Sequence, residues 1–314
     1  MDTPYNLIFG QDELLSDTAI RTLPDWCYHP ITFAGERRYY RLPEAEILSQ
    51  RVNQRPFYID LVQVRARRPK RIRFSLPRRQ LFLYVMLEGG LLLTTPENCP
   101  ITRTRNNTFL LLYYNKGEYM VQVGTGHHTA LIVTFAPEWL ARAGRDFPNI
   151  LPVFERFRSS DTPYEIMHPQ PIGRRVHRWL NNIFSYSENN ISALDGNLRK
   201  YFSYILAHYD TTLGVQSHDL AYRVRVYLNE HYRDATLSNQ YLAAHFHVTA
   251  RTLRNHFKRE YGTTPHEYYS RLRITDAIMQ MERNDLNASD VYLSVGYSDE
   301  SSFRYALNRF LKRQ

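Results

Sequence analysis

Between Phe57 and Phe135 the apolar residues fall in short runs rich in Tyr, Val, Leu and Thr, separated by turn residues. Runs of this length and composition predict strands at Tyr58–Val64, Phe82–Leu87, Gly90–Thr94, Thr108–Tyr113, Tyr119–Val123 and Thr129–Phe135. Pro69, Pro77, Glu88-Gly89-Gly90, Pro96-Glu97-Asn98, Asn106-Asn107, Asn115-Lys116-Gly117 and Gly124-Thr125-Gly126 punctuate them. Turn signals at intervals of about 8–12 residues predict a small barrel or sandwich. Residues 1 to about 55 are mixed in character and show no clear period. After Pro137 the period lengthens. Ile172, Val176, Trp179, Leu180 and Ile183 fall on one helical stripe, and Leu194, Leu198, Tyr201, Phe202 and Ile205 on another. These two amphipathic helices, joined through Glu188-Asn189-Asn190, suit either a cap on the strands or pairing with a second subunit. Thr211 to Ser217 reads as a linker, and Asp219 as the cap of a helix that buries Leu220, Val224, Tyr227 and Leu228.

The last hundred residues repeat one pattern: a short apolar helix, a tight turn, then a polar helix with cations. The first copy runs from Leu237 to Ala244, turns at Phe246-His247-Val248 and continues from Thr249 to Tyr261. The second runs from Ser289 to Val295, turns at Gly296-Tyr297 and continues from Ser298. Such helix–turn–helix units place their second helix in the DNA major groove. Thr249 is a good cap for the first reading helix and Gly262 a good terminator. Leu253, Phe257 and Tyr261 recur on its core face, and Arg251, Arg254, Asn255 and Lys258 on another. Arg suits guanine O6/N7 and Asn suits adenine N6/N7, while Lys258 and Arg259 suit phosphates. In the second copy Ser298 is the expected cap. Phe303, Leu307 and Phe310 face inward, and Ser301, Arg304, Tyr305 and Asn308 share the outer face. Between the copies Thr264-Pro265 opens a helix to about Arg283, striped by Ile274, Ala277, Ile278 and Met281. At 1.5 Å per residue it spans about 28 Å, against about 34 Å between successive major-groove faces.

Charge supports a polyanionic partner: the chain carries a formal +9. The distribution is uneven, with +3 after Val215 and +6 before it. The densest run holds Arg65, Arg67, Arg68, Lys70, Arg71, Arg73, Arg78 and Arg79, with no acid between Asp60 and Glu88. Its alternation with Val64, Ile72 and Phe74 reads as a solvated strand edge. Only Cys27 and Cys99 are present, so a disulfide scaffold is not expected. No run is long and apolar enough to span a bilayer. Met1-Asp2-Thr3-Pro4 lacks the features of a signal peptide, which points to the cytoplasm.

From about Tyr227 to Phe310 the chain resembles AraC/XylS-type transcriptional regulators. The first unit of that family resembles Thr236-Leu237…Leu242-Ala243…Val248-Thr249…Leu253…Phe257-Lys258…Gly262-Thr263-Thr264-Pro265…Tyr268. Its linker helix resembles Arg271-Leu272…Ala277, and its second unit Asp290-Val291…Gly296-Tyr297-Ser298-Asp299…Ser301-Ser302-Phe303. The resemblance implies an α+β chain. An N-terminal cupin-like β-barrel with two following helices (1–213) would bind an effector or hold a dimer. A C-terminal all-α tandem helix–turn–helix domain (214–314) would bind DNA. It implies double-stranded DNA, a small-molecule effector, RNA polymerase and a second copy of the chain as partners. It carries base contacts onto Arg251, Arg254 and Asn255, then onto Ser301 and Tyr305, with Arg304 adjacent. The sequence departs from the family pattern at His247, where a Gly is usual, at Tyr292 in place of a small Ala, and at Leu307-Asn308 in place of Phe-Lys. The pattern's closing Gly, Ser-Pro and Tyr-Arg segment has no counterpart before Gln314.

The alternative is a cupin-like metalloenzyme or ligand-binding protein whose helical C-terminal part serves protein interaction. Its support is thin. His127 and His128 are adjacent, so on a strand they point to opposite faces. His245 and His247 straddle the turn of the first unit, and no supporting Glu stands at ligand spacing. Gly124-Thr125-Gly126 lacks the Lys-Ser/Thr of a phosphate loop, and neither G-x-S-x-G nor H-E-x-x-H occurs. The reading is therefore a regulator with no cofactor, no metal and no catalytic residue.

Overall fold

The computed structural model describes residues 3–10, 13–98, 100–159, 162–186, 190–216 and 220–312. The chain divides into two compact units. The first comprises Met1–Pro96, Pro100–Ser160 and Ile166–Leu213, and the second Glu97–Cys99, Asp161–Glu165 and Gly214–Gln314.

Strands β1 (Asn6–Ile8), β2 (Ser16–Ala19), β3 (Glu36–Arg41), β4 (Ala45–Gln54), β5 (Phe57–Ala66), β6 (Lys70–Leu76), β7 (Gln80–Glu88), β8 (Leu91–Thr94), β9 (Pro100–Arg103), β10 (Thr108–Tyr114), β11 (Gly117–Val123) and β12 (Gly126–Phe135) come first. Helices α1 (Pro137–Ala143) and α2 (Leu151–Ser159) follow, then short strands β13 (Tyr164–Ile166) and β14 (Gln170–Pro171), then α3 (Arg174–Phe184) and α4 (Ile191–Gln216). The strands form two antiparallel sheets that do not close into one barrel. The smaller has the order β1-β6-β11-β8-β9; the larger contains the path β10-β7-β12-β5-β4-β3-β2, with β14 beside β10. Their inner faces line a cavity of ≈ 90 Å³ with side chains from both sheets, among them Val62, Ile72, Phe82, Leu93, Val121 and Ala130. Tyr5 also lines it, and its hydroxyl donates to the fully buried Asp60 at 2.8 Å. Burial pushes the Asp60 carboxyl up, against the pull of Arg51.

The near-continuous apolar runs in β7 and β10 reflect burial on both faces. Phe109, Leu110 and Leu111 are all fully buried because α4 covers the outer side of the larger sheet. Phe202 of α4 packs on Phe57 at 5.0 Å, and Tyr209 on Phe109 at 5.4 Å. The unplaced N-terminal region supplies β1 to β4. β4 lacks an apolar period because its buried side chains include Glu46, Ser49 and Gln50. Their partners lie on other segments: Gln50 accepts from the Ile31 N–H and donates to the His29 carbonyl, both at 2.8 Å.

Two expectations are corrected here. The basic run is not an edge: β6 lies between β1 and β11, although Arg71 and Arg73 do alternate with buried Ile72 and Phe74. Residues 211–216 are not a linker but the end of α4, where Thr211 and Thr212 turn their hydroxyls back to the carbonyls of Ala207 and His208. Ser217 and Asp219 lie outside the described residues, as do Glu188, Asn189 and Cys99. Asn190 caps α4, accepting from the N–H groups of Ser192 and Ala193.

The second unit is helical: α5 (Leu220–His231), α6 (Asn239–His245), α7 (Ala250–Tyr261), α8 (Pro265–Asn284), α9 (Ala288–Val291) and α10 (Glu300–Leu311). α8 packs against α5, α7, α9 and α10, so it threads both halves of the unit.

Candidate nucleic-acid interface

Each half builds the same local device. Ser238 starts α6 by accepting from the Tyr241 N–H at 3.0 Å, and Thr249 starts α7 by accepting from the Thr252 N–H at 3.1 Å. Between them His247 sits at φ 54°, the left-handed conformation in which a glycine is unstrained. Gly262, at φ 69°, ends α7. Leu253 and Phe257 are buried and Tyr261 half-buried, so α7 is docked by the face expected. Arg251, Arg254, Asn255 and Lys258 are all exposed, and the three cations form no ion pair among the described residues.

In the second half α9 is a single turn, started where the Asp290 carboxylate accepts from the Asn287 N–H at 2.8 Å. Gly296, at φ 91°, closes the turn; a Cβ there would stand 2.4 Å from the Arg233 carbonyl oxygen. The cap of α10 is Asp299, not Ser298: its carboxylate accepts from the Ser302 N–H at 2.7 Å. That bond holds the Asp299 carboxyl below its usual range. Phe303 and Phe310 are buried, and Leu307 packs partly against them in a core with Ile274, Ala277, Val291 and Val295. Ser301, Arg304, Tyr305 and Asn308 are exposed, Tyr305 by 69%. Arg304 is engaged within its own helix, pairing with Glu300 at 2.6 Å. That i,i+4 spacing was present in the sequence, and sequence reasoning passed over it.

Sequence reasoning also missed the polar group that ties the halves together. Arg273 of α8 is buried and donates to the carbonyls of Tyr232, at 2.6 Å, and Asp234, at 2.7 Å. Its guanidinium lies 4.8 Å from the Tyr269 ring and 5.4 Å from the Tyr297 ring. One turn on, buried Asp276 accepts from the Tyr232 hydroxyl at 3.0 Å and from Arg233 Nε at 2.9 Å. The α5–α6 connection, α8 and the turn of the second half therefore meet at one polar centre. Two opposite charges inside the apolar stripe Leu272–Ala277 were the available signal.

The histidines take structural places. His128 accepts from the Gly90 N–H at Nδ1, 3.2 Å away, and its Nε2 lies 2.9 Å from the Gly124 carbonyl. His127, on the opposite face, packs its ring edgewise on Trp26 and Tyr28. His245 stacks on Tyr241. Among the described residues no group of three or more His, Cys, Asp or Glu is placed to hold a metal.

Residues 242–313 match a family model described as a helix-turn-helix domain. Among curated proteins none matches the sequence. Solved structures give distant likenesses. The C-terminal domain of the response regulator YesN from Fusobacterium nucleatum is 18% identical, covers 28% of this chain and 86% of its own, and has a TM-score of 0.27. The C-terminal domain of AraT, a response regulator from Geobacillus stearothermophilus, is 19% identical over 31% and 86%, with a TM-score of 0.28. ToxT from Vibrio cholerae is 12% identical over 82% and 96%, with a TM-score of 0.34.

Proposed function

From the premise that this chain carries an AraC-type helix–turn–helix domain at its C-terminal end, we propose that it is a sequence-specific regulator of transcription that reads duplex DNA with α7 and α10. One observation carries the reading. Both helices bury an apolar face in a single helical unit and turn a face of cations, amides and hydroxyls to solvent. Arg251, Arg254 and Asn255 read base edges, each bidentate contact contributing about 1–3 kcal/mol of discrimination. Lys258 holds phosphate. In α10, Ser301, Arg304 and Tyr305 make the second set of contacts, and Arg304 must leave Glu300 to do so. α8, now 20 residues and about 30 Å long, sets the spacing.

The first unit holds the effector site in this reading. The cavity between the sheets has almost entirely apolar walls, so it suits a small apolar molecule or the apolar end of a larger one. Such a ligand acts by favouring one of two arrangements of the chain. The regulator works as a homodimer in the cytoplasm and acts on RNA polymerase at the promoter.

Selection of bound sequences from random duplexes gives the site, and a mobility-shift assay on that site tests the residues. Arg251→Ala and Arg254→Ala are each expected to reduce the preference for the selected site over random DNA by about 5–150-fold, the equivalent of 1–3 kcal/mol. Undiminished preference in both variants would remove α7 as the reader.

A further inference from the structure

The basic run between Asp60 and Glu88 has no part in the reading helices. Part of it, Arg71 and Arg73, lies in β6 of the smaller sheet. Ile72, Phe74, Leu93 and Val121 line the cavity, so the alternate residues of those strands face outward. The register sets Arg71 opposite Gln122, Gln122 opposite Leu92, and Leu92 opposite Arg103, one row across four strands. Arg73, opposite Met120, stands on the same face two residues along. With strands about 4.8 Å apart, Arg71 and Arg103 are separated by about 14 Å across the sheet, and Arg71 and Arg73 by about 7 Å along it. Arg68 in the β5–β6 turn and Arg105 after β9 flank these rows.

Arg68, Arg71, Arg73, Arg103 and Arg105 are exposed, and none forms an ion pair among the described residues. The nearby acids are already engaged: Glu13 and Glu44 hold Lys70, and Glu46 holds Arg65. Glu13 reaches Arg73 only as a longer-range charge. Glu118, opposite Ser75, is the acid within these rows, at the far end of β6. Like charges on one sheet face repel and add nothing to the fold. An external array of anions turns that repulsion into attraction. None of the large exposed apolar side chains lies in these rows, so the face has nothing to insert among acyl chains. Arg, with its planar fork, is the better of the two cations for phosphate.

We propose that this face of the smaller sheet binds the phosphate backbone of duplex DNA, a sequence-independent contact additional to the reading helices. It rests on the DNA-binding function above but not on the identity of the operator. The test uses the full chain and a random-sequence duplex of about 40 base pairs, with affinity measured against salt concentration. The triple variant Arg71→Gln, Arg73→Gln, Arg103→Gln is expected to make the slope of log K on log salt shallower by about 2–3, at about 0.9 per phosphate contact. The single variant Arg103→Gln is expected to remove about 0.9 by itself, so a folding defect in the triple variant leaves the proposal exposed to test. The corresponding triple Lys variant is expected to keep the slope. An unchanged slope in the Gln variants overturns the proposal. So does a loss confined to phosphatidylserine vesicles with the duplex slope intact. If Lys258→Gln lowers the slope while the sheet variants do not, DNA binding stands and this surface is excluded. A wild-type chain that binds no duplex overturns both.

Discussion

Glu267 closes the first turn of α8 from both sides. Its carboxylate accepts from the Thr264 N–H at 3.0 Å and the Thr264 hydroxyl at 2.9 Å, while the Thr264 hydroxyl accepts from the Glu267 N–H at 3.2 Å. The Thr264 N–H, above all, holds the Glu267 carboxyl below its usual range. A carboxyl depressed by folding contributes stability that is complete above its unfolded pKa, about 4.3, and is lost as pH falls through the folded value. Glu267→Gln is therefore expected to cost about 0.5–2 kcal/mol near neutrality and to shrink the loss of stability below about pH 4. Urea unfolding of wild type and variant at pH 7 and pH 3.5 measures both; equal pH dependence would show that the cap contributes through shape and not charge. The helix start was legible in Thr264-Pro265 because its signal is local, whereas the reciprocal part of Glu267 was not read from it. Legible too was the conflict at His247, whose φ of 54° is what the turn demands of a residue with a Cβ. The cap of α10 was misplaced by one residue because Ser298 and Asp299 both accept hydrogen bonds, and only the backbone decides which one faces the helix start.

At the scale of elements, α8 does more than set a length. Its apolar stripe was readable, since Ile274 and Ala277 recur at helical spacing and are buried as expected. The role of Arg273 and Asp276 was not, because their partners lie some 40 positions earlier in the chain: Tyr232 and Arg233 for Asp276, and the Tyr232 and Asp234 carbonyls for Arg273. Periodicity sees only the residues of one element. Removing one member of a buried, hydrogen-bonded charge group leaves the others without partners, at a cost of about 3–5 kcal/mol. Asp276→Ala is expected to approach that range, while Asp276→Asn, which can still accept from the Tyr232 hydroxyl, should lose about half as much. The check is a double-mutant cycle with Tyr232→Phe in urea. Additive losses would mean that the two residues do not act together. If both variants fold, the second half of the unit should loosen first, since Tyr297 lies over Arg273 and Gly296 against the Arg233 carbonyl.

At the scale of the whole molecule, both units expose cations, and the β-rich one also holds an apolar pocket between its sheets. The pocket of ≈ 90 Å³ between the sheets is lined mainly by apolar side chains. Ala130 is among its lining residues. Ala130→Leu is expected to raise stability by up to about 2 kcal/mol where the larger side chain fits. Saturating benzene is expected to raise the Tm of the wild type, and the variant should abolish that rise. Retention of that rise in the variant would place the apolar binding elsewhere. Calorimetric melting with and without benzene decides it.

The sequence by itself determined six of the eight strands between Phe57 and Phe135, without β6 and β9, together with the two amphipathic helices after Pro171, the capped helices of the C-terminal unit and the outward face of each reading helix. These are local matters: side-chain period, turn residues and caps act within a few residues, and the chain carries them wherever it goes. Only the tertiary structure decided that the strands form two sheets instead of one closed barrel, and that the basic run lies inside a sheet and not at its edge. It alone revealed that β4 buries polar side chains and that Arg273 and Asp276 join the two halves of the helical unit. Those outcomes depend on which distant residues meet, and hydrogen bonds and buried charges at such contacts are satisfied by partners that neither composition nor periodicity records.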